Sequence, residues 1–469
     1  MTSPHSSRRP SGAIRLLPPS EKVVVLDDDP TGTQTVHGID ILSSWSVETL
    51  VEALRDPRRC FYILTNSRAL PAREAASVTR EVAANLATAS RGTGVPFSVI
   101  SRSDSTLRGH FTEELEAIEA GLGVTFDAKI VIPAFFESGR VTSNNVHYAV
   151  NAGRLVPVAD TEFARDRTFG YAHSDLTEWI EEKTLGRHPA HSVASISIAT
   201  LRGPNGADAV TAQLLSIPKG GFLVVNAMEY SDLEVFTEGL VSAEAKGKRY
   251  LARSAASFVQ VRSGLEARAL LAPAEVSGPQ AVGGLIVVGS YVKNSTEQLL
   301  SLLQLPSVVG IELSVDRLAE ESMRAREIAR AAEAATGAIR SGLHAVVFTS
   351  RGTSSTIGEQ GDLKSGQIVS AALVAVVKSI SERPRFLVSK GGITSSDIAV
   401  RGLGMKKATV LGQVLAGVPV WKMGSETRYP GMNLVVWPGN VGHRDGLRDF
   451  VRNAETPLRT AATPRSVVD

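Results

Sequence analysis

Three aspartates in a row, Asp27, Asp28 and Asp29, follow directly on the apolar run KVVVL at Lys22 to Leu26. Adjacent carboxylates repel, so the cluster is costly unless a metal, a network of donors or solvent relieves it. Pro30 to Thr35 then add a turn, hydroxyls and an amide. Asp28 and Asp29 are suited to orienting polyol hydroxyls or to taking a proton from one. The plain alternative is an acidic turn that caps the next element. A second apolar run, Phe97 to Ile100, ends in SRSDSTLRG, where Asp104 stands among Ser103, Ser105 and Thr106 with Arg102 and Arg108 close by. Arginine offers a planar fork of donors that matches carboxylate or phosphate. Arg68 follows a third run in TNSR, and Arg140 a fourth in PAFFESGR. One arginine alone is most simply a surface cation. Several at successive run ends predict a carboxylate-binding pocket, with Asp28, Asp29 and Asp104 as candidate catalytic residues.

The second half of the chain repeats the pattern with different chemistry. GGLIVV precedes GSYVKNST, HAVVF precedes TSRGTSS, and RFLV precedes SKGGITSSD. Gly391 and Gly392 let a backbone approach a ligand closely, and amides at a helix start attract phosphate. WPGNVG is a further turn of this kind. No GxxxxGK followed by Ser or Thr occurs, and GLGMKK (Gly402 to Lys407) fails the dinucleotide pattern at its last position. Several such loops together favour a nucleotide phosphate site.

These residues need elements to hold them. Short apolar runs alternating with stretches of three-and-four apolar spacing predict strands and helices in mostly parallel sheets, where ligands sit outside the carboxyl ends of the strands. Helices are predicted at SVETLVEALRD, PAREAASVTREVAANLATAS and TEELEAIEAGL, and from Leu233 to Lys246, Asp316 to Ile339 and Gly366 to Ile380. With 469 residues the chain exceeds one ordinary core. The expected division is a tail over 1–20, an α/β substrate domain over 21–270, a linker at Glu266 to Ala281, an α/β nucleotide domain over 282–455 and a tail over 456–469. Both tails read as disordered, and the ligand cleft is expected between the two domains.

Composition narrows the classes. A net charge of +2 with no basic stripe excludes nucleic acid as the expected partner. The single cysteine, Cys60, excludes an internal disulfide and reads as a buried inert thiol. No apolar run approaches the ~20 residues of a membrane span. The start, MTSPHSSRRPSG followed by LLPPSEK, is not a signal peptide pattern, so the expected location is cytoplasmic.

At these motifs the chain resembles the four-carbon acid sugar kinase family, over roughly residues 22–450. DDPTGT (Asp28 to Thr33) is similar to the family's opening DDFTGA-type motif, SDSTLRG (Ser103 to Gly109) to its KxDSTLRG segment, and RSAASF (Arg253 to Phe258) to its RTAASF segment. VVGS (Val287 to Ser290), KGGITS (Lys390 to Ser395) and PGNVG (Pro438 to Gly442) resemble its nucleotide-side motifs. Pro30 stands where many relatives carry Phe, and Arg102 replaces a lysine; both bear on the choice of substrate.

The resemblance implies an N-terminal substrate lobe, a C-terminal nucleotide lobe, and ATP with Mg²⁺ as cofactors. By position, Asp28, Asp29, Arg68, Ser103, Asp104, Ser105, Thr106 and Arg108 would hold the acid sugar, and Ser290, Gly391, Gly392, Ile393, Thr394 and Gly439 the ATP. No metal ligand is assigned. The partners implied are a small acid sugar and ATP, without nucleic acid or membrane, in a chain able to form a homo-oligomer. The expected reaction is phosphorylation of threonate, erythronate or 3-oxo-tetronate. A nucleotide- and metabolite-binding sensor and a hydroxy-acid dehydrogenase are the alternatives.

Overall fold

The computed structural model describes residues 21–151, 153–278, 281–350 and 363–455. The two tails predicted to be disordered lie outside the described residues, as does most of the turn after HAVVF. The apolar runs form strands because Val, Ile, Phe and Tyr suit a pleated surface covered on both faces. Lys22–Asp27 lies between Cys60–Leu64 and Phe97–Arg102, parallel to both, with Asp27 level with Leu64 on one side and Arg102 on the other. Tyr250–Ser254, Ala128–Ile132, Gly221–Val225 and Ala194–Ile196 extend this parallel array. In the second half, Val308–Leu313, His344–Thr349, Leu285–Val288, Leu387–Lys390 and Asn433–Trp437 form another, in that order.

The sequence predicts two α/β halves, and both are present. It does not predict their union. Val418–Met423 runs antiparallel to Asn433–Trp437 and to Lys407–Leu415, which in turn pairs antiparallel with Ile39–Leu42 of the first half. Among the described residues fifteen strands thus form one sheet. Three antiparallel pairings in succession reverse the strand direction between the halves. Two register shifts interrupt the pairing of Lys407–Leu415 with Val418–Met423. Loops from both halves line a common cavity. One face of the sheet carries a continuous core, from Val23 and Ile41 to Val287, Val410 and Leu434, whereas the other face is covered separately in each half.

The helices Val47–Arg55, Ala72–Thr93, Thr112–Leu122, Tyr230–Glu244 and Leu363–Ser379 follow the predicted periodicity. The helix expected from Asp316 to Ile339 is instead two, Val315–Ala319 and Glu321–Arg340, broken at Glu320 with ψ of 114°. The buried Glu327 carboxylate accepts from the Ser314 amide at 2.9 Å and folds the first turn back. Arg140–Ser143, Val146–Asn151 and Arg154–Pro157 form a separate three-stranded meander. The predicted linker lies against the junction strand, with the Leu271 amide donating to the Gln413 carbonyl at 2.7 Å. Cys60 is buried, and burial pushes its thiol up to about 12. Among the described residues no helix is long and apolar enough to cross a membrane.

Candidate functional site

The aspartate run ends Lys22–Asp27, the strand between two parallel neighbours, so its loop is flanked by theirs. Asp27 is fully buried; burial pushes its carboxyl up to about 8 although Arg102 Nη1 stands 3.2 Å away. Gly32 is required there, because a Cβ on it would fall 2.0 Å from Asp27 Oδ2. Asp28 is engaged on both oxygens. Arg68 Nε donates to one at 3.1 Å and its Nη2 to the other, while the Ser103 hydroxyl donates at 2.6 Å. Arg253 supports this arrangement from behind, donating to Ser103 Oγ at 2.8 Å and to Ser101 Oγ at 2.7 Å. Asp28 and Ser103 are buried and stand behind the cavity wall.

Asp29 differs. It caps the short turn Pro30–Thr33, its Oδ1 accepting from the Thr31 amide at 2.8 Å and from the Thr31 hydroxyl. Proline just inside the turn removes an amide that would have no partner there. Asp29 Oδ2 pairs with Arg68 Nη1 at 3.7 Å. It faces the second half: a Cβ on Gly392 would lie 2.7 Å from it. The same turn is fastened to the second half by Trp421 Nε1, which donates to Thr33 Oγ1 at 2.9 Å, and by Gln34 Nε2, which donates to the Gly417 carbonyl at 3.3 Å.

The SDSTLRG loop leaves Phe97–Arg102 through a strained backbone, with Leu107 at φ +67° and Gly109 at φ +125°. Burial alone would raise Asp104, but Arg108, Arg68 and the Thr106 hydroxyl outweigh it and hold this carboxyl well below the usual carboxylate range. Arg108 Nε donates to it at 2.6 Å. The loop backbone is pinned by His147 Nε2, 2.8 Å from the Ser105 carbonyl, and by the Tyr171 hydroxyl, which donates to the Thr106 carbonyl at 2.8 Å. Burial pushes His147 down to about 4, so it is a neutral support rather than a proton carrier at pH 7.

On the second half, three adjacent parallel strands end in the glycine loops. Gly391, at φ +120°, opens the helix Gly392–Asp397. Ser290, Thr394 and Gly439 converge behind it. Cβ atoms on Gly391 and Gly439 would meet Ser290 Cβ at 3.2 Å and Ser290 Oγ at 2.7 Å, and one on Gly289 would meet Thr394 Oγ1 at 2.2 Å. Ser295 Oγ ties Ser290 Oγ at 2.9 Å to the Gly439 carbonyl at 2.8 Å. The Ile393 side chain is 56 % exposed and is not among the residues lining the cavity. Lys390 is not in the cavity. Its buried ammonium donates to the carbonyls of Pro438 at 2.7 Å and Gly439 at 2.9 Å, and burial pushes it down to about 7.

Between the halves lies a cavity of about 410 Å³. Asp29, Arg68, Asp104, Ser105, Thr106 and Arg108 line it from the first half, Gly392 and Pro438 to Gly442 from the second. Four arginines (Arg68, Arg102, Arg108, Arg140) and three carboxylates (Asp29, Asp104, Glu137) face it, so an anionic, polyhydroxylated ligand fits its chemistry. Ser290, Gly391 and Thr394 stand one layer behind Gly392 and Gly439. Phe163, Glu137 and Asn440 also line it and are not among the candidates named from sequence. Asn440 sits within PGNVG and shares its turn signal; Phe163 lies in a stretch without periodicity and carries no signal of its own.

Among the described residues no three His, Cys, Asp or Glu side chains converge as a metal cage. Mg²⁺ at phosphoryl-transfer sites needs one or two carboxylates besides phosphates. Asp29, with Oδ2 turned to the boundary between the halves, fits that need.

Two family models match the chain: one described as a sugar-binding N-terminal domain over residues 23–262, the other as a nucleotide-binding C-terminal domain over 285–447. Among solved structures the chain is similar to a Salmonella typhimurium LT2 protein named as a candidate tRNA synthase, at 16% identity and a TM-score of 0.65, covering 92% of this chain and 98% of that one. It is similar also to a Haemophilus influenzae protein, at 17% identity and a TM-score of 0.61, covering 92% and 99%. At such identities the likeness is one of fold. No curated protein matches the sequence.

Proposed function

The chain belongs to the four-carbon acid sugar kinase family, and from that premise we propose that it is an ATP-dependent kinase of a short acid sugar such as threonate, erythronate or 3-oxo-tetronate. The observation that carries this reading is the position of Asp29. Its Oδ2 belongs to the sugar-binding half yet faces Gly392 of the nucleotide-binding half, where an acceptor hydroxyl and a transferring phosphoryl group would meet.

In this reading the sugar occupies the lobe of residues 21–270 and ATP that of 282–455. Phosphoryl transfer asks a protein chiefly for positioning, charge neutralisation and a group near the attacking hydroxyl. Asp29 takes the hydroxyl proton; the sugar oxygen bonds to the γ-phosphorus as its bond to the β–γ bridging oxygen breaks, and ADP leaves. Asp28, locked by Arg68 and Ser103, holds Arg68 beside Asp29. Asp104, held ionised by Arg108, is a poor proton acceptor and serves as a hydroxyl ligand. Gly392 and Gly439 leave room for phosphates, with Ser290 and Thr394 behind them. Bound as Mg-ATP, the metal would be held by the phosphate oxygens and would neutralise their charge, leaving Asp29 Oδ2 to take the hydroxyl proton.

The test is ADP formation with Mg-ATP and a panel of four-carbon aldonates and ketoaldonates. An acid-dependent rate is expected from at least one of them. A protein that binds ATP and acid yet releases no ADP would be a sensor, and the kinase reading would fall.

A further inference from the structure

We propose that Arg140, seated against the face of Phe163, is the group that binds the carboxylate of the substrate, so that the meander it opens sets the preference for an acid over a neutral polyol. The inference rests on the kinase reading only for the identity of the ligand.

The four arginines of the cavity are not equivalent. Arg68 is spent on Asp28, Arg102 Nη1 lies 3.2 Å from Asp27, and Arg108 Nε donates to Asp104 at 2.6 Å. Each already has a carboxylate, and a second anion would compete for it. Arg140 forms no ion pair among the described residues. Its Nη1 donates to the neutral Ser138 carbonyl, and its Nε is buried without a partner. Glu137, three positions before it, accepts from the Tyr230 hydroxyl at 2.5 Å. Asp104 and Glu162 act on Arg140 only through space, and burial dominates, pushing its pKa down. A half-buried cation with no ion-pair partner among the described residues and a buried, unpartnered Nε is costly unless a ligand supplies an anion.

The surroundings fix where that anion must come. Arg140 begins Arg140–Ser143, its amide donating to the Phe135 carbonyl at 2.8 Å and its carbonyl accepting from the Phe135 amide at 3.0 Å. Gly139, at φ +67°, makes the turn, and a Cβ there would collide with Val150 Cβ at 2.7 Å. The Arg140 guanidinium carbon lies 5.8 Å from the centroid of Phe163, and that of Arg108 5.0 Å from the same ring. The ring holds the guanidinium by its negative face and leaves the donor edge for a planar carboxylate. A ligand held there by its carboxylate extends its hydroxyls into the cavity shared with Asp104 and Asp29.

The test compares wild type with Arg140→Met, which keeps the stem against Phe163, and Arg140→Lys, which keeps the charge without the fork. Calorimetric titrations use threonate, erythronate and the neutral tetritol erythritol, alongside ADP formation and the KM for ATP. Loss of a charge-assisted pair is expected to weaken acid binding about 10- to 100-fold in Arg140→Met, less in Arg140→Lys. Erythritol binding and the KM for ATP should not change. Acid binding equal to wild type in Arg140→Met, or equal losses for acid and erythritol, overturns the proposal, as does a wild type that binds none of the acids. Should Arg140→Met fail to fold, an unchanged acid-over-erythritol ratio in Arg140→Lys overturns it equally. A wild type whose acid binding depends on Arg140 but which releases no ADP sinks the kinase reading and leaves the carboxylate site standing.

Discussion

Four carboxylates within the two loops, Asp27, Asp28, Asp29 and Asp104, are separated in role by what each one touches. Asp27 is buried against Arg102, Asp28 is saturated by Arg68 and Ser103, and Asp104 is held low by Arg108. Only Asp29 keeps an oxygen turned toward the second half. Asp29→Asn should therefore lower kcat by roughly 10² or more, the scale of acid–base residues, with little change in the KM for the acid. Asp28→Asn should act indirectly, by freeing Arg68, and raise that KM together with a loss of thermal stability. Steady-state kinetics on the two variants check the division; equal kcat defects with equal melting temperatures would refute it. The sequence shows that this run of aspartates is chemical, because three carboxylates end an apolar strand. It cannot show which is free. That depends on Arg68 and Gly392, which reach the run from a neighbouring strand end and from the other half.

At the scale of elements, the KGGITS and PGNVG loops behave as one unit held by Lys390. Its ammonium bridges the Pro438 and Gly439 carbonyls with no carboxylate partner among the described residues, and burial lowers its pKa from 10.5 to about 7. Between those values the unfolded chain binds a proton that the fold does not, so this group makes stability rise with pH across that window. Its destabilising effect is complete below about 7, where the folded state carries the buried charge. The melting temperature of wild type relative to Lys390→Met should accordingly rise between pH 6.5 and 9.5; a constant difference would show that Lys390 does not titrate there. Gly392→Val tests the loop itself. Its branched side chain would meet Asp29 Oδ2, 2.7 Å from the Cβ position, so the KM for ATP should rise and kcat fall in a folded protein. A folded variant with the wild-type melting shift on adding Mg-ATP would place the phosphates elsewhere. Glycine pairs after strands are legible as a phosphate signal. Lys390, which opens the KGGITS motif, is a strut in the fold, because Leu387–Lys390 carries it into the interior.

For the whole molecule, the decisive feature is that the halves share a sheet and a core. Asp40 and Thr409 are 369 residues apart in sequence, yet their side chains are bonded at 2.9 Å across the junction strands. Asp40 also holds Arg58 and Lys407. No local pattern announces such a pairing. The linker composition marks a division between two α/β patterns, but not that the strands on either side of it would join. Independent domains would unfold separately, whereas a shared core makes them one cooperative unit. Calorimetry of the whole chain should show a single transition, with calorimetric and van't Hoff enthalpies in agreement, and Mg-ATP should shift all of it. A fragment from Val282 onward would leave Lys407–Leu415 without Ile39–Leu42 and expose the face that Val23 and Ile41 cover in the full chain. An unpaired edge beside an uncovered apolar face favours aggregation, so the fragment should be insoluble alone and recovered when residues 21–278 are co-expressed. Two resolved transitions in the full chain, or a soluble fragment that melts cooperatively by itself, would show that the shared sheet is an association of two independent domains. In that case catalysis would depend on how the lobes meet rather than on a site the single fold already holds together.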